Sequence, residues 1–324
     1  KKIVGIIAAV AMAASVFAAD VSAKVKLDGS LFSYDGTNVS ALMIQHNSDE
    51  SWNPDLAFSV NSDNAGASFS YYIGTYGPNG GWNKGYYDAA NSWQIWFKPF
   101  DMLKIVVGDY STNLNQEHIT WSKSASGCDS KGYALELYPM DGLSFAFALL
   151  PGWGENWFEG SATKELYAKF EYNADFGKIN AMLDAANTFK TIKFGAGYAN
   201  NFSGVNMFVN VLGFVNTGFE KLRVEAYADG NVDGFGWALW VPVDINLGDK
   251  VTANVGTIAK INYAIGAVNA YLYIEEADWL SFSTIEIKPG VTGSVGIMGW
   301  EVAADMIIGS GFTLNVPVTF TVNF

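Results

Sequence analysis

From Phe312 to Phe324 the chain alternates without a break. Phe312, Leu314, Val316, Val318, Phe320, Val322 and Phe324 are apolar, and the residues between them are small or polar. Period two marks a strand with one apolar and one polar face. A strand of a soluble protein typically runs about 5 or 6 residues, whereas a tilted strand crossing a bilayer needs roughly 9 to 11. This segment is long enough to close a membrane barrel.

The same alternation recurs upstream. Leu143, Phe145, Phe147 and Leu149 share one face, and Leu166, Ala168, Phe170 and Tyr172 share another, opposite Glu165, Tyr167, Lys169, Glu171 and Asn173. Ile179, Ala181, Leu183 and Ala185 face away from Asn180 and Asp184, and Trp300, Val302, Ala304, Met306 and Ile308 face away from Glu301 and Asp305. Turn signals separate such segments at Lys98-Pro99-Phe100-Asp101, Pro139-Met140-Asp141-Gly142 and Ala174-Asp175-Phe176-Gly177. A second hairpin of the first kind is read at Trp237 to Gly256, with its turn at Pro242 and Asp244, as an internal repeat. The pattern predicts an all-β transmembrane antiparallel up-and-down barrel of about sixteen strands, with fourteen and eighteen as alternatives. A strict alternation of short turns and long loops fails near both ends, where Val25 to Tyr34 takes the wrong direction for a periplasmic start.

Composition supports that class. Half the residues are hydrophobic but only 16% are charged, against a usual ~25%, and no internal apolar run reaches the ~18 residues of a membrane helix. Lys1 and Lys2 precede the uncharged run Ile3 to Ala19, followed by small-residue sites ending at Ala18 and Ala23. Residues 1–23 therefore read as a signal peptide, cleaved after Ala18 or Ala23, and residues 24–324 as one barrel domain. The formal net charge of −13 disfavours a nucleic-acid partner. Cys128 is the only cysteine and reads as an incidental loop residue.

Charged residues on the polar faces are the candidate pore lining: Lys98, Lys104, Glu136, Glu165, Lys169, Glu171, Asp184, Arg223, Glu225, Glu301 and Asp305. A lysine or arginine turned toward lipid at the midplane costs about 2 to 4 kcal/mol, so these side chains belong in an aqueous lumen or at an interface. Residues 75–91, 111–131 and 151–163 read as long extracellular loops. The second carries Glu117, His118, Lys123 and Asp129, candidates for a loop that folds inward and constricts the pore. No nucleophile elbow, His-x-x-x-His pair or phosphate-binding glycine loop is present, and the two histidines, His46 and His118, fall in loops or strand ends. Neither an enzyme nor a cofactor-binding protein is expected.

The leader, the alternating hairpins with Asp-containing turns, and the terminal Val316-Pro317-Val318-Thr319-Phe320-Thr321-Val322-Asn323-Phe324 together resemble bacterial outer-membrane β-barrel porins. The arginine-poor, Gly-, Tyr- and Trp-rich style is most similar to barrels of spirochaetes such as treponemes. The resemblance implies that Val318, Phe320, Val322 and Phe324 are read by the barrel assembly machinery. It also implies outer-membrane lipid and small hydrophilic solutes as partners, and a homo-trimer or a monomer. Two features depart from the family. One arginine, Arg223, cannot form the arginine cluster of trimeric general porins, and Pro317 removes a ladder donor, predicting a bulge. The function expected is a passive diffusion channel with a modest cation preference. The alternatives are an adhesin or structural surface protein contacting partners through 75–91 and 151–163, and a sugar-selective channel with Trp96 or Tyr167 as stacking platforms.

Overall fold

The computed structural model describes residues 20–43, 55–72, 92–117, 119, 127–151, 164–248 and 250–323. Among them every regular element is a strand. The first seven are β1 (Asp20–Tyr34), β2 (Val39–Met43), β3 (Asp55–Asn61), β4 (Ala65–Tyr72), β5 (Ser92–Phe100), β6 (Leu103–Asn113) and β7 (Gly127–Met140). Then follow β8 (Leu143–Leu150), β9 (Glu165–Ala174), β10 (Gly177–Ala186), β11 (Thr191–Phe202), β12 (Val205–Val215), β13 (Phe219–Val232) and β14 (Phe235–Leu247). The last are β15 (Val251–Val255), β16 (Thr257–Ile265), β17 (Val268–Glu276), β18 (Ile285–Val295), β19 (Met298–Ala303), β20 (Asp305–Ile308) and β21 (Phe312–Asn323).

Antiparallel ladders join these strands into one sheet, and β1 pairs with β21 from Lys24↔Asn323 to Tyr34↔Leu314, which closes it. Three staves of the wall are interrupted. β2 and β3 both pair with β1, β15 and β16 both pair with β14, and β19 and β20 both lie between β18 and β21. The twenty-one strands thus fill eighteen positions, not the favoured sixteen. The same merging removes the direction conflict at Val25 to Tyr34. With β2 and β3 as one stave, β1 starts at the end that carries the short turns 101–102, 141–142, 175–176, 203–204, 233–234, 266–267 and 296–297.

Proline explains most irregularities, because it cannot donate to a ladder. The register shifts beside Pro99, between Phe97 and Phe100, and beside Pro139, between Leu137 and Met140. Opposite Pro317, β1 bulges between Ser30 and Phe32, as that residue predicts. Pro242 and Pro289 sit across from the breaks in neighbouring staves, where Gly256 and Ala304 donate their N–H groups to the proline carbonyls at 2.9 Å. The supposed turn at Pro242 and Asp244 is therefore the interior of β14, which continues to Leu247, so the proposed internal repeat does not hold. At 203–204 and 233–234 both turn residues have positive φ, the primed geometry that matches strand twist: Ser203 52° with Gly204 88°, and Asp233 51° with Gly234 82°.

Side chains divide as the alternation requires. Phe147, Leu149, Ile179, Leu183, Phe194, Val209 and Leu239 are exposed on the outer face. Ala146, Ala148, Leu150, Tyr167, Asn180 and Met182 are buried on the inner one. An exposed apolar band on a closed sheet is the lipid-contacting surface of a membrane barrel.

Candidate functional site: an inward loop across the lumen

The expected constricting loop is shorter than the pattern suggested. Ser111–Asn113 continue β6, and residues 127–131 open β7 with Asp129 opposite Ser111 and Cys128 opposite Thr112. Asp129 and the buried Cys128 are therefore strand residues, not loop residues. His118 and Lys123 lie outside the described residues. What remains, 114–117 and 119, turns into the barrel, with Leu114, Asn115 and Glu117 buried.

A set of buried amides fastens this segment to the far wall. Asn115 Nδ2 donates to Asn210 Oδ1 at 2.9 Å, and Asn180 Nδ2 donates to the Leu114 carbonyl at 2.6 Å and to Asn115 Oδ1 at 3.0 Å. Asn210 Nδ2 donates to the Asn115 carbonyl at 2.9 Å and to Glu225 Oε2 at 3.2 Å. Buried amides are tolerated when each finds partners, and a satisfied network specifies one geometry. The floor beneath it is glycine. A Cβ at Gly197 would stand 2.3 Å from Asn210 Oδ1 and 2.5 Å from Asn115 Nδ2, and one at Gly195 would stand 2.9 Å from Leu212 Cδ2. Side chains at those two positions of β11 would fill the seat the loop takes. Further along, Glu117 Oε2 accepts the Ile119 N–H at 2.7 Å, and Ile119 packs on an inner-wall cluster that includes Phe208, Tyr227, Trp240, Ile258 and Tyr271. The loop thus touches the wall from β10 to β17.

By alternation the eleven charged candidates share the inner side of the wall, mostly in ion pairs. Lys104 meets Glu136 at 3.0 Å, Asp184 meets Lys193 at 2.6 Å, and Glu171 lies 3.1 Å from Lys169 and 3.8 Å from Lys178. Arg223 grips Asp244 through Nε and Nη2, both at 2.6 Å, and lies 3.6 Å from Glu225. Lys98 sits over the Trp96 ring at 5.8 Å, Glu165 opens β9 opposite Leu150, Tyr271 donates its hydroxyl to Glu301, and Asp305 opens β20 opposite Asn315. Tyr167 is fully buried beside Met182 and offers no face for stacking. Lys193 and Asp244 are further inner charges that were missed, although extending the alternation through β11 and β14 would have found them. The Asp109–Lys131 pair takes outer-face positions of β6 and β7, in line with the exposed Tyr133 and Leu135.

Replacing Arg223 with leucine leaves Asp244 and the fully buried Glu225 without their shared partner. Breaking such a pair costs about 3 to 5 kcal/mol, and Lys221, 3.5 Å from Asp244, should hold the loss near the lower figure. The urea midpoint of the barrel in lipid vesicles reads the effect, and an unchanged midpoint would refute it. Arg223→Lys should recover only part, because the fork is lost.

Between the loop and β9–β13 lies a cavity of about 860 Å³, bordered by Asn115, Lys169, Lys178, Asn201, Asn206 and Tyr227. A second, of about 360 Å³, adjoins it at Asn206 and Tyr227 and extends to Asp229, Lys260 and Asn262. A closed antiparallel wall, an apolar exterior, a charged interior and an inward loop define the outer-membrane β-barrel porin class of fold. Solved structures agree. OpdQ of Pseudomonas aeruginosa superposes with a TM-score of 0.59 at 10% identity over 94% of this chain and 96% of its own. The outer membrane protein OpdK of the same organism gives 0.59 at 8% over 94% and 98%. A BenF-like porin from Pseudomonas fluorescens gives 0.55 at 9% over 94% and 98%. None of these is a spirochaete barrel, so they bear on the fold and leave the treponemal likeness unsupported. No protein-family model and no curated protein matches the chain.

Proposed function

We propose that the protein is a passive outer-membrane channel for small hydrophilic solutes, narrowed by the inward segment that holds residues 114–117 and Ile119. The observation that carries this reading is the docked loop. It is anchored by satisfied amides and leaves a polar cavity beside it, in an eighteen-stave wall too wide for side chains alone to fill. The names of the solved relatives, a BenF-like porin among them, point the same way. In this reading residues 1–18 are the signal peptide, since a cut after Ala18 leaves β1 whole whereas one after Ala23 would fall within it. Val318, Phe320 and Val322 on β21 would carry the assembly signal with Phe324, which lies outside the described residues. The adhesin alternative draws no support, since 75–91 and 152–163 also lie outside them. Purified protein in a planar bilayer tests the proposal: discrete open steps are expected, and their absence in assembled, heat-modifiable protein would end it.

The cation preference should come from one part of the wall. Glu171 is answered by Lys169 and Lys178, and Asp184 by Lys193. On β17–β20 the inner faces carry Glu275, Glu286, Glu301 and Asp305 against Lys288, with Lys260 on neighbouring β16. Fixed carboxylates raise the local cation concentration in a confined aqueous path. Glu301→Gln with Asp305→Asn should therefore shift the reversal potential in a salt gradient toward anions more than Glu171→Gln does. The preference should fade at high salt, as the screening length falls from roughly 10 Å at 0.1 M to about 3 Å at 1 M. Wild-type anion selectivity would sink this part of the reading.

A further inference from the structure

We propose that the short-turn half of the lumen holds a subsite for uncharged polyhydroxylated solutes, the oligosaccharide class; this rests on the channel reading. Its basis is a row of asparagines on the inner faces of six of the eight staves from β9 to β17, near the short turns: Asn173 on β9, Asn201 on β11, Asn206 on β12, Asn231 on β13, Asn262 on β16 and Asn269 on β17. Asn201 Nδ2 donates to Asn206 Oδ1 at 2.7 Å, Asn206 Nδ2 donates to Asp229 Oδ1 at 2.7 Å, and Asn262 Nδ2 donates to Asn269 Oδ1 at 3.3 Å. These bonds hold the amides in place without exhausting them. Asn201 and Asn206 each keep one N–H and one lone pair after the contacts that Asn201 makes with the Gly204 N–H and Asn206.

That balance of donors and acceptors decides the ligand. A carboxylate only accepts and an ammonium only donates, so either would leave half of the row unpaired on losing its water. A hydroxyl does both, and vicinal hydroxyls can bridge an amide's N–H and carbonyl. The charged side chains beside the row are held in contacts of their own. Asp229 takes hydrogen bonds from Asn206 and from the Tyr227 hydroxyl at 2.6 Å, and Lys169 and Lys178 share Glu171. Room is provided for the amides: a Cβ at Gly236 would meet Asn262 Oδ1 at 2.5 Å. The first cavity, about 860 Å³, falls within the roughly 300 to 1,000 Å³ of small-molecule sites. Tyr227 borders both cavities beside the row.

Current block in planar bilayers tests the subsite. Maltotriose should interrupt the open current in a concentration-dependent way, and Asn201→Leu with Asn206→Leu should raise the half-blocking concentration about tenfold, a loss of ~1.4 kcal/mol. Heat-modifiable mobility of the double variant establishes that it has assembled. Open steps with no block by maltotriose would overturn the subsite while leaving the channel standing. So would a block by benzoate alone that Lys178→Gln abolishes, which would mark a site for carboxylates instead. Absence of steps would remove the channel reading itself.

Discussion

Phe147→Lys should destabilise the barrel by roughly 2 to 4 kcal/mol if the residue lies near the bilayer midplane, the cost of turning an ammonium toward lipid. Phe147 is 48% exposed on the outer face of β8, between Leu135 of β7 and Ala168 of β9. Its sequence neighbours Ala146 and Ala148 are buried on the other side. No outer carboxylate stands directly across from it to pair with the new charge. Thr292→Lys is the matched control. It lies on the inner face of β18, opposite Glu301 of β19, so its ammonium would gain a counter-charge and keep water. It should change stability by no more than about 0.5 kcal/mol. Urea titration in vesicles, followed by tryptophan fluorescence, gives both numbers, and equal costs would refute the assignment of the two faces. Asn180→Lys, which the alternation alone would offer as a harmless control, is unsuitable because that side chain is fully buried against the loop.

How legible each feature was depends on the range of the contacts that create it. Faces follow from period two, a property of neighbours in sequence, so Phe147 against Ala148 and Leu183 against Asp184 could be assigned from the string alone. Pro317 and its bulge were legible for the same reason, since a missing donor is written in the residue. Stave counting was not. Proline and glycine mark a turn and an interrupted stave alike, and only pairing partners tell them apart. Pro242 looked like a reversal until Gly256 stood across from it. The loop's seat is more remote still. Asn115 binds Asn180 and Asn210, 65 and 95 positions away, and the glycines beneath them read in the sequence only as permission for twist.

Gly197→Leu should release the loop and raise single-channel conductance several-fold. The new Cβ would arrive 2.3 Å from Asn210 Oδ1, 2.5 Å from Asn115 Nδ2 and 2.5 Å from Asn180 Oδ1, so three amides must move at once. None can yield alone. Asn210 is tied to Glu225, Asn180 to the Leu114 carbonyl, and both to Asn115. Separating them leaves buried donors and acceptors unpaired, at about 1 to 3 kcal/mol each, unless the segment lifts away and takes its polar groups into the aqueous lumen. Lifting away therefore costs less than staying. The β11 ladder itself is spared: position 197 points inward, while Ala196 and Tyr198 keep the outer face and the backbone pairs with β10 and β12 are untouched. Asn115→Ala should act in the same direction but less, because it removes one side chain of the network and leaves the Gly195–Gly197 seat open to the rest of the loop. An assembled Gly197→Leu barrel with wild-type conductance would show that the docked segment of Leu114 to Glu117 does not set the width of the conducting path.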